Sequence, residues 1–141
     1  MSRFRFSLPL RVRHADTDAQ GHVFFGNYFS YFDEAVSAYF EAIGTPMDYL
    51  YKLGLDFYYV DAHCQYKGSA KSEEKLQVDA RIDRIGNTSL NVQCAIYREG
   101  HDQAIASGHV TAVLVNPKTR QPVRVPDEIR QAVHQFEEMD E

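Results

Sequence analysis

The chain has 141 residues, with nine Tyr, nine Phe and no Trp, and carries a formal net charge of −5. That length suits one ordinary domain with a sizeable core, read here as spanning 1–141, and is short for two. The negative charge speaks against a nucleic-acid partner, which calls for a broad basic surface. No run approaches the roughly 18 apolar residues of a membrane span, and the alternating N-terminus MSRFRFSLPLRVRH lacks the apolar stretch of a signal peptide, so a cytoplasmic protein without a membrane partner is expected.

Residues 4–13, FRFSLPLRVR, alternate Phe4, Phe6, Leu8, Leu10 and Val12 against polar positions, the pattern of a half-buried strand, and Pro9 on the other face suits an edge or a kink. From Gly26 the period lengthens. Phe29, Phe32, Val36, Phe40 and Ile43 fall three or four apart and form one apolar face of a helix about four turns long, which Gly44 is placed to stop. Thr45 offers an N-cap and Pro46 a first helical position for a short second helix, PMDYLYKL, ended by Gly54. Residues 55–67 read as a strand with Tyr58, Val60, Ala62, Cys64 and Tyr66 on one face.

Leu76, Val78, Ala80 and Ile82 mark the next strand and Leu90, Val92, Cys94 and Ile96 the one after, joined by a tight turn at Gly86-Asn87. REGHDQ turns into a last strand over 104–115, which NPKTRQP terminates, and VPDEIRQAVHQF reads as a helix with Ile129, Val133 and Phe136 on one side. Cys64 and Cys94 fall in phase with apolar neighbours, as buried free thiols do, and no zinc spacing exists. This order predicts an α+β layer architecture in which a curled antiparallel sheet of about five strands covers one long helix, the first strand being inserted or at an edge. Such a sheet ends in exposed edges that pairing with a second copy would close.

The segment ADTDAQGHVFFGNY, residues 15–28, joins the first strand to the long helix. The first backbone N–H groups of that helix, near residues 24–27, have no intrahelical partners, and the macrodipole there is positive. Such an end favours an anion, including the oxyanion formed when an acyl carbonyl is attacked. Gly21 and Gly26 permit a tight backbone and close ligand approach, and an aspartate just upstream can face the same point. Acyl transfer needs this pairing of donors with a carboxylate. The residues alone favour reading Asp18 as a loop aspartate that satisfies nearby N–H groups, with the catalytic reading as the alternative.

RHADTDAQGHVFFGNYFSYFDEA resembles the signature of the hotdog-fold acyl-CoA thioesterases similar to 4-hydroxybenzoyl-CoA thioesterase. The pattern D-x-D-x-x-G-x-V, aromatic positions, a Tyr and an acidic-Ala pair falls on Asp16, Asp18, Gly21, Val23, Tyr28 and Asp33-Glu34-Ala35. Looser likeness covers Ser69-Ala70, the turn in IDRIGNTSL and the VP that opens the last helix.

The resemblance implies a five-stranded antiparallel sheet wrapped around one long central helix, with a short helix and a C-terminal helix besides. It implies a homodimer or dimer of dimers with active sites at dimer interfaces, an acyl-CoA substrate, and neither metal nor cofactor. It makes Asp18 the catalytic carboxylate, as nucleophile or general base, and assigns the backbone N–H of Phe25, with Gly26 beside it, to polarising the thioester carbonyl. Some relatives carry a histidine at the Phe25 position, so this chain must rely on the carboxylate and backbone donors. Lys67, Lys71, Arg84, Asn87, Thr88 and Ser89 flank the turns that the family uses for the nucleotide of coenzyme A.

Asp16 is expected to be structural, paired with Arg11 or Arg13 or bonded to loop N–H groups, and His22 likewise. Were the segment extended, Asp16 and Asp18 would point the same way, and the two like charges would raise one pKa. Two other readings compete. His14, Asp16 and His22 could form a two-histidine, one-carboxylate metal site, or the protein could bind an acyl thioester or a carrier protein without catalysis. Phe24, Phe25, Phe29, Tyr31, Tyr58 and Tyr59 are candidates for lining an aryl or fatty-acyl pocket, although aromatics at helical spacing also serve as plain core.

Overall fold

Five strands pair antiparallel in the order β1-β3-β4-β5-β2, so the first two strands of the chain occupy opposite edges of one sheet. The computed structural model describes residues 4–139, and the readings that touch residues 1–3, 140 and 141 lie outside it. The elements are β1 (Phe6–Arg11), α1 (Asn27–Ala42), α2 (Met47–Lys52), β2 (Asp56–Tyr66), β3 (Lys75–Ile85), β4 (Ser89–Arg98), β5 (Ala104–Val115) and α3 (Asp127–Glu137), with one 3-10 turn at His14–Asp16.

The alternation read from the sequence sends one row of each central strand inward. Leu76, Val78, Ala80 and Ile82 of β3, Leu90, Val92, Cys94 and Ile96 of β4, and Ala106, Val110, Ala112 and Leu114 of β5 are all buried. Phe32, Val36 and Phe40 of α1 meet them in one core, and burying a side chain of that size stabilises by about 1.5–3 kcal/mol. The buried face of α1 is wider than the predicted stripe, taking in Tyr28, Tyr31, Ala35 and Tyr39 as well. Helix α3 buries Ile129 and Val133 and sets Phe136 edge-on against Tyr39, whose hydroxyl donates to Glu137 at 2.7 Å. Among the described residues no helix is long and apolar enough to cross a membrane.

Three local expectations are corrected. Thr45 does not cap α2, whose N-cap position is Pro46 without a side-chain bond. Instead the Thr45 N–H donates to the Phe40 carbonyl at 2.9 Å and closes the end of α1. In β2 the register shifts between Tyr59 and Asp61, so Val60 is a bulge residue and the face divides there. Tyr59, Ala62, Cys64 and Tyr66 stand opposite the buried row of β5, while Tyr58 and Val60 do not. Finally, β1 covers only Phe6–Arg11 of the expected 4–13, and the chain passes through Val12 and an extended Arg13 into the 3-10 turn at His14. As an edge strand it bonds to β3 alone, which is how it tolerates Pro9.

Strand β2 bonds to β5 alone and leaves its other edge open, with Val60 63% exposed. Gly108 of β5 pairs with Cys64 on one side and Cys94 on the other. A Cβ at Gly108 would lie 1.8 Å from the His63 carbonyl oxygen, so only glycine lets β2 dock this closely. The two cysteines, two strands apart at about 4.8 Å per strand, exceed the Cα separation of a disulfide and are free.

Candidate active site

Segment 14–28 folds back on itself before α1 begins. The 3-10 turn at His14–Asp16 breaks the extended course of β1, and from there Thr17 bridges Val23. The Asp18 N–H donates to the His22 carbonyl at 2.7 Å, and the Phe24 N–H donates to the Asp16 carbonyl at 3.0 Å. Gly21, at φ +83°, makes the reversal that a side-chain-bearing residue would resist.

The turn sends the two aspartates to different places. Asp16 is 6% exposed. Its carboxylate accepts from the Arg13 guanidinium at 2.9 and 3.4 Å and from the Arg13 backbone N–H at 3.2 Å. The Tyr31 hydroxyl adds a fourth bond at 2.9 Å. Burial pushes its pKa up, but the bonds from Arg13 and Tyr31 outweigh it and hold the carboxyl below its ordinary value. In turn, burial and the Asp16 charge push the Tyr31 phenol well above its ordinary range. Of the two expected arginine partners it is Arg13 that serves, while Arg11 lies 3.5 Å from Glu73.

Asp18 is exposed. Among the described residues only one of its oxygens is engaged, accepting from the N–H of Gln20 at 2.9 Å and of His22 at 3.2 Å. The His22 ring is bonded through Nδ1 to Ser69 Oγ at 2.9 Å. Arg98 donates to the Ser69 carbonyl and, at 3.0 Å, to Glu74, so the loop is stitched to the segment between β2 and β3. His14, Asp16 and His22 do not converge, and among the described residues no three His, Cys, Asp or Glu side chains are grouped to hold a metal.

At the start of α1 the carbonyls of Phe24, Phe25 and Gly26 accept from the N–H groups of Asn27, Tyr28 and Phe29 at 2.9, 3.3 and 3.2 Å. The N–H groups of Phe25 and Gly26 meet no acceptor among the described residues, no side chain caps the helix, and its first turn holds no acidic residue. The macrodipole of this 16-residue helix adds to the positive potential at that point.

Aromatic rings surround it. Phe24 and Phe25 are 49% and 64% exposed, and Phe25 meets Tyr66 edge to face at 6.3 Å. Tyr66 and Tyr59 tie α1 to the edge strand, the first donating to the Phe25 carbonyl at 2.7 Å and the second to the Asp33 carboxylate at 2.5 Å. Burial keeps both thiols protonated, Cys94 being pushed up to about 12, so neither offers a thiolate.

Sequence reasoning assigned no role to Tyr66, Ser69 or Arg98. The alternation places Tyr66 on one face of β2 with Tyr58, Val60, Ala62 and Cys64, and nothing in that pattern points its hydroxyl to a backbone carbonyl 41 positions away. The nucleotide candidates are not brought together within one chain. Lys67 and Lys71 lie where β2 leads into β3, whereas Arg84, Asn87, Thr88 and Ser89 lie at the β3–β4 turn. The 11 residues of β3 put about 33 Å between those ends.

The family model described as the thioesterase-like superfamily matches residues 12–133. The acyl-CoA thioesterase YbgC of Haemophilus influenzae is 25% identical over 130 residues, covering 92% of this chain and 94% of that protein. Among solved structures, the gentisyl-coenzyme A thioesterase BH1999 superposes with a TM-score of 0.81 at 29% identity, over 89% of this chain and 99% of its own. The DHNA-CoA thioesterase of Staphylococcus aureus does so with a TM-score of 0.86 at 20% identity, over 94% and 91%, a likeness that bears on fold alone. The architecture is the hotdog fold that the signature segment implies.

Proposed function

From the premise that the chain belongs to the thioesterase-like superfamily and is a thioester hydrolase, we propose that it cleaves an acyl-CoA to free acid and coenzyme A with Asp18 and the start of α1. The observation that carries this reading is the pair of unpartnered N–H groups at Phe25 and Gly26, preceded in the same folded loop by a carboxylate with one oxygen unengaged. The Phe25 N–H, with Gly26 beside it, stabilises charge developing on the thioester oxygen. Asp18 either attacks the carbonyl carbon, forming a mixed anhydride as the C–S bond breaks and the thiolate leaves, which water then hydrolyses to the free acid and the regenerated carboxylate, or it takes a proton from a water that attacks the carbonyl directly. Polarisation by the helix start fills the role of a Lewis acid, so no metal or cofactor is needed.

The open edge of β2 supports assembly into a homodimer, or a dimer of dimers, through this strand. Antiparallel pairing of β2 with its copy turns the partner over. The partner's β3–β4 turn then lies at the end that carries Lys67 and Lys71, and the divided nucleotide set is reunited across the interface.

The deciding experiment is thiol release from a panel of short-chain, long-chain and aryl acyl-CoAs, with and without prior dialysis against EDTA. Hydrolysis that survives EDTA is expected. Binding without thiol release would favour a carrier or binding role, and loss restored by a divalent ion would favour metal chemistry. After a single turnover in ¹⁸O-water, label in the Asp18 carboxylate would establish the anhydride route, with water opening the anhydride at the Asp18 carbon. Light scattering should find no monomer at micromolar concentration. Salt should raise KM for acyl-CoA but not for an acyl-pantetheine, with kcat little changed.

A further inference from the structure

We propose, resting on the reading above, that Tyr66 is a positioning residue for hydrolysis whose hydroxyl fixes and polarises the Phe25–Gly26 peptide that presents the Gly26 N–H. The carbonyl of Phe25 and the N–H of Gly26 belong to one planar peptide unit. The Tyr66 hydroxyl donates to that carbonyl at 2.7 Å, whereas the other donor, the Tyr28 N–H, stands at 3.3 Å. Donation to the oxygen draws electron density across the peptide and makes its N–H a stronger donor, the cooperativity of chained hydrogen bonds. It also resists rotation of the peptide plane, at a helix start that no side chain caps.

The Tyr66 ring is held for this task, edge to face with Tyr28 at 5.2 Å and with Phe25 at 6.3 Å. Burial and the neighbouring Cys64 push its phenol up to about 12, so it keeps its proton at neutral pH and remains a donor. The preceding peptide is held differently, because the Phe24 carbonyl accepts the Asn27 N–H at 2.9 Å in the turn that leads into the helix. Tyr66 therefore acts on one of the two free N–H groups, from a residue 41 positions away on the edge strand.

The test compares wild type, Tyr66→Phe and Tyr66→Ala by thiol release and thermal melting. The carbonyl stretch of bound, carbonyl-¹³C-labelled benzoyl-CoA is read in the Asp18→Asn background, with and without Tyr66→Phe. Tyr66→Phe should lower kcat about 3–10-fold, the worth of one hydrogen bond, with KM within about twofold and a thermal midpoint near wild type. Tyr66→Ala should lose at least as much kcat, with stability as well. In the Asp18→Asn background the bound carbonyl should absorb at lower frequency than free benzoyl-CoA, and Tyr66→Phe should shrink that displacement. A folded Tyr66→Phe enzyme with unchanged kcat and unchanged carbonyl displacement would overturn the proposal, as would lower stability with unchanged kcat. Wild-type protein that releases no thiol would instead sink the underlying reading, and the carbonyl displacement would still decide the role of Tyr66.

Discussion

Asp16 and Asp18 are two residues apart and share a loop, yet the fold treats them in opposite ways. Asp16 is sealed among Arg13, Tyr31 and backbone N–H, with both oxygens engaged. Asp18 faces solvent with one oxygen bonded to two backbone donors and the other unengaged. A carboxylate with both oxygens engaged is tied into the scaffold, and one held by a single oxygen keeps the other available. The 3-10 turn creates the difference by rotating the two side chains apart, so the mutual repulsion of an extended segment does not arise.

The sharpest way to break this contrast is to neutralise each aspartate in turn. Asp18→Asn keeps size but removes the charge, so it can neither attack nor take a proton. We expect kcat lower by at least about 100-fold, with acyl-CoA binding and the thermal midpoint close to wild type, measured by thiol release, titration and melting. A dead, folded Asp16→Asn beside an active Asp18→Asn would reverse the roles.

Asp16→Asn should instead lose about 0.5–3 kcal/mol of stability, read from urea unfolding, with a smaller change in kcat. Acid should expose the same difference. Because the folded-state pKa of Asp16 is depressed, its charged form stabilises the fold above the unfolded value of about 3.9. That contribution is lost as pH falls from there through the lower folded value. Urea midpoints of wild type should therefore fall more steeply below pH 4 than those of Asp16→Asn, and parallel slopes would contradict the Asp16 assignment. The smallest effect belongs to Tyr31→Phe, which removes one of four bonds to Asp16. A loss of about 0.5–1.5 kcal/mol with kcat near wild type is expected.

The contrast also marks how far the sequence could be read. Strand and helix order was legible because each central strand alternates cleanly and α1 repeats at helical spacing, signals carried by a few neighbouring residues. The bulge at Val60 was not legible, since an extra residue leaves no trace in an alternation that was already mostly apolar. Thr45 looked like an N-cap because a short-range pattern cannot say which of two adjoining helices the residue serves. That an aspartate and a bare helix start would meet in the loop before α1 was legible through the motif and the physics of a helix start, and the roles of Asp18 and the Phe25 amide remain the proposal made above. Tyr66 was not, because its partner lies across the sheet edge in a contact that only the folded chain creates. The scatter of the nucleotide candidates has a similar origin, for adjacency of turns in sequence says nothing about which end of a strand each occupies.

The bare beginning of α1 has a consequence for any attempt to make this protein more heat-resistant. Helical bonding begins at the Phe24 carbonyl, and phenylalanine offers no oxygen to the amides that follow. A serine or aspartate there would contribute about 1 kcal/mol as a cap. On the mechanism proposed above, that oxygen would occupy the Gly26 N–H, one of the two donors proposed for the thioester. Selection for durability and selection for turnover would then pull against each other at position 24.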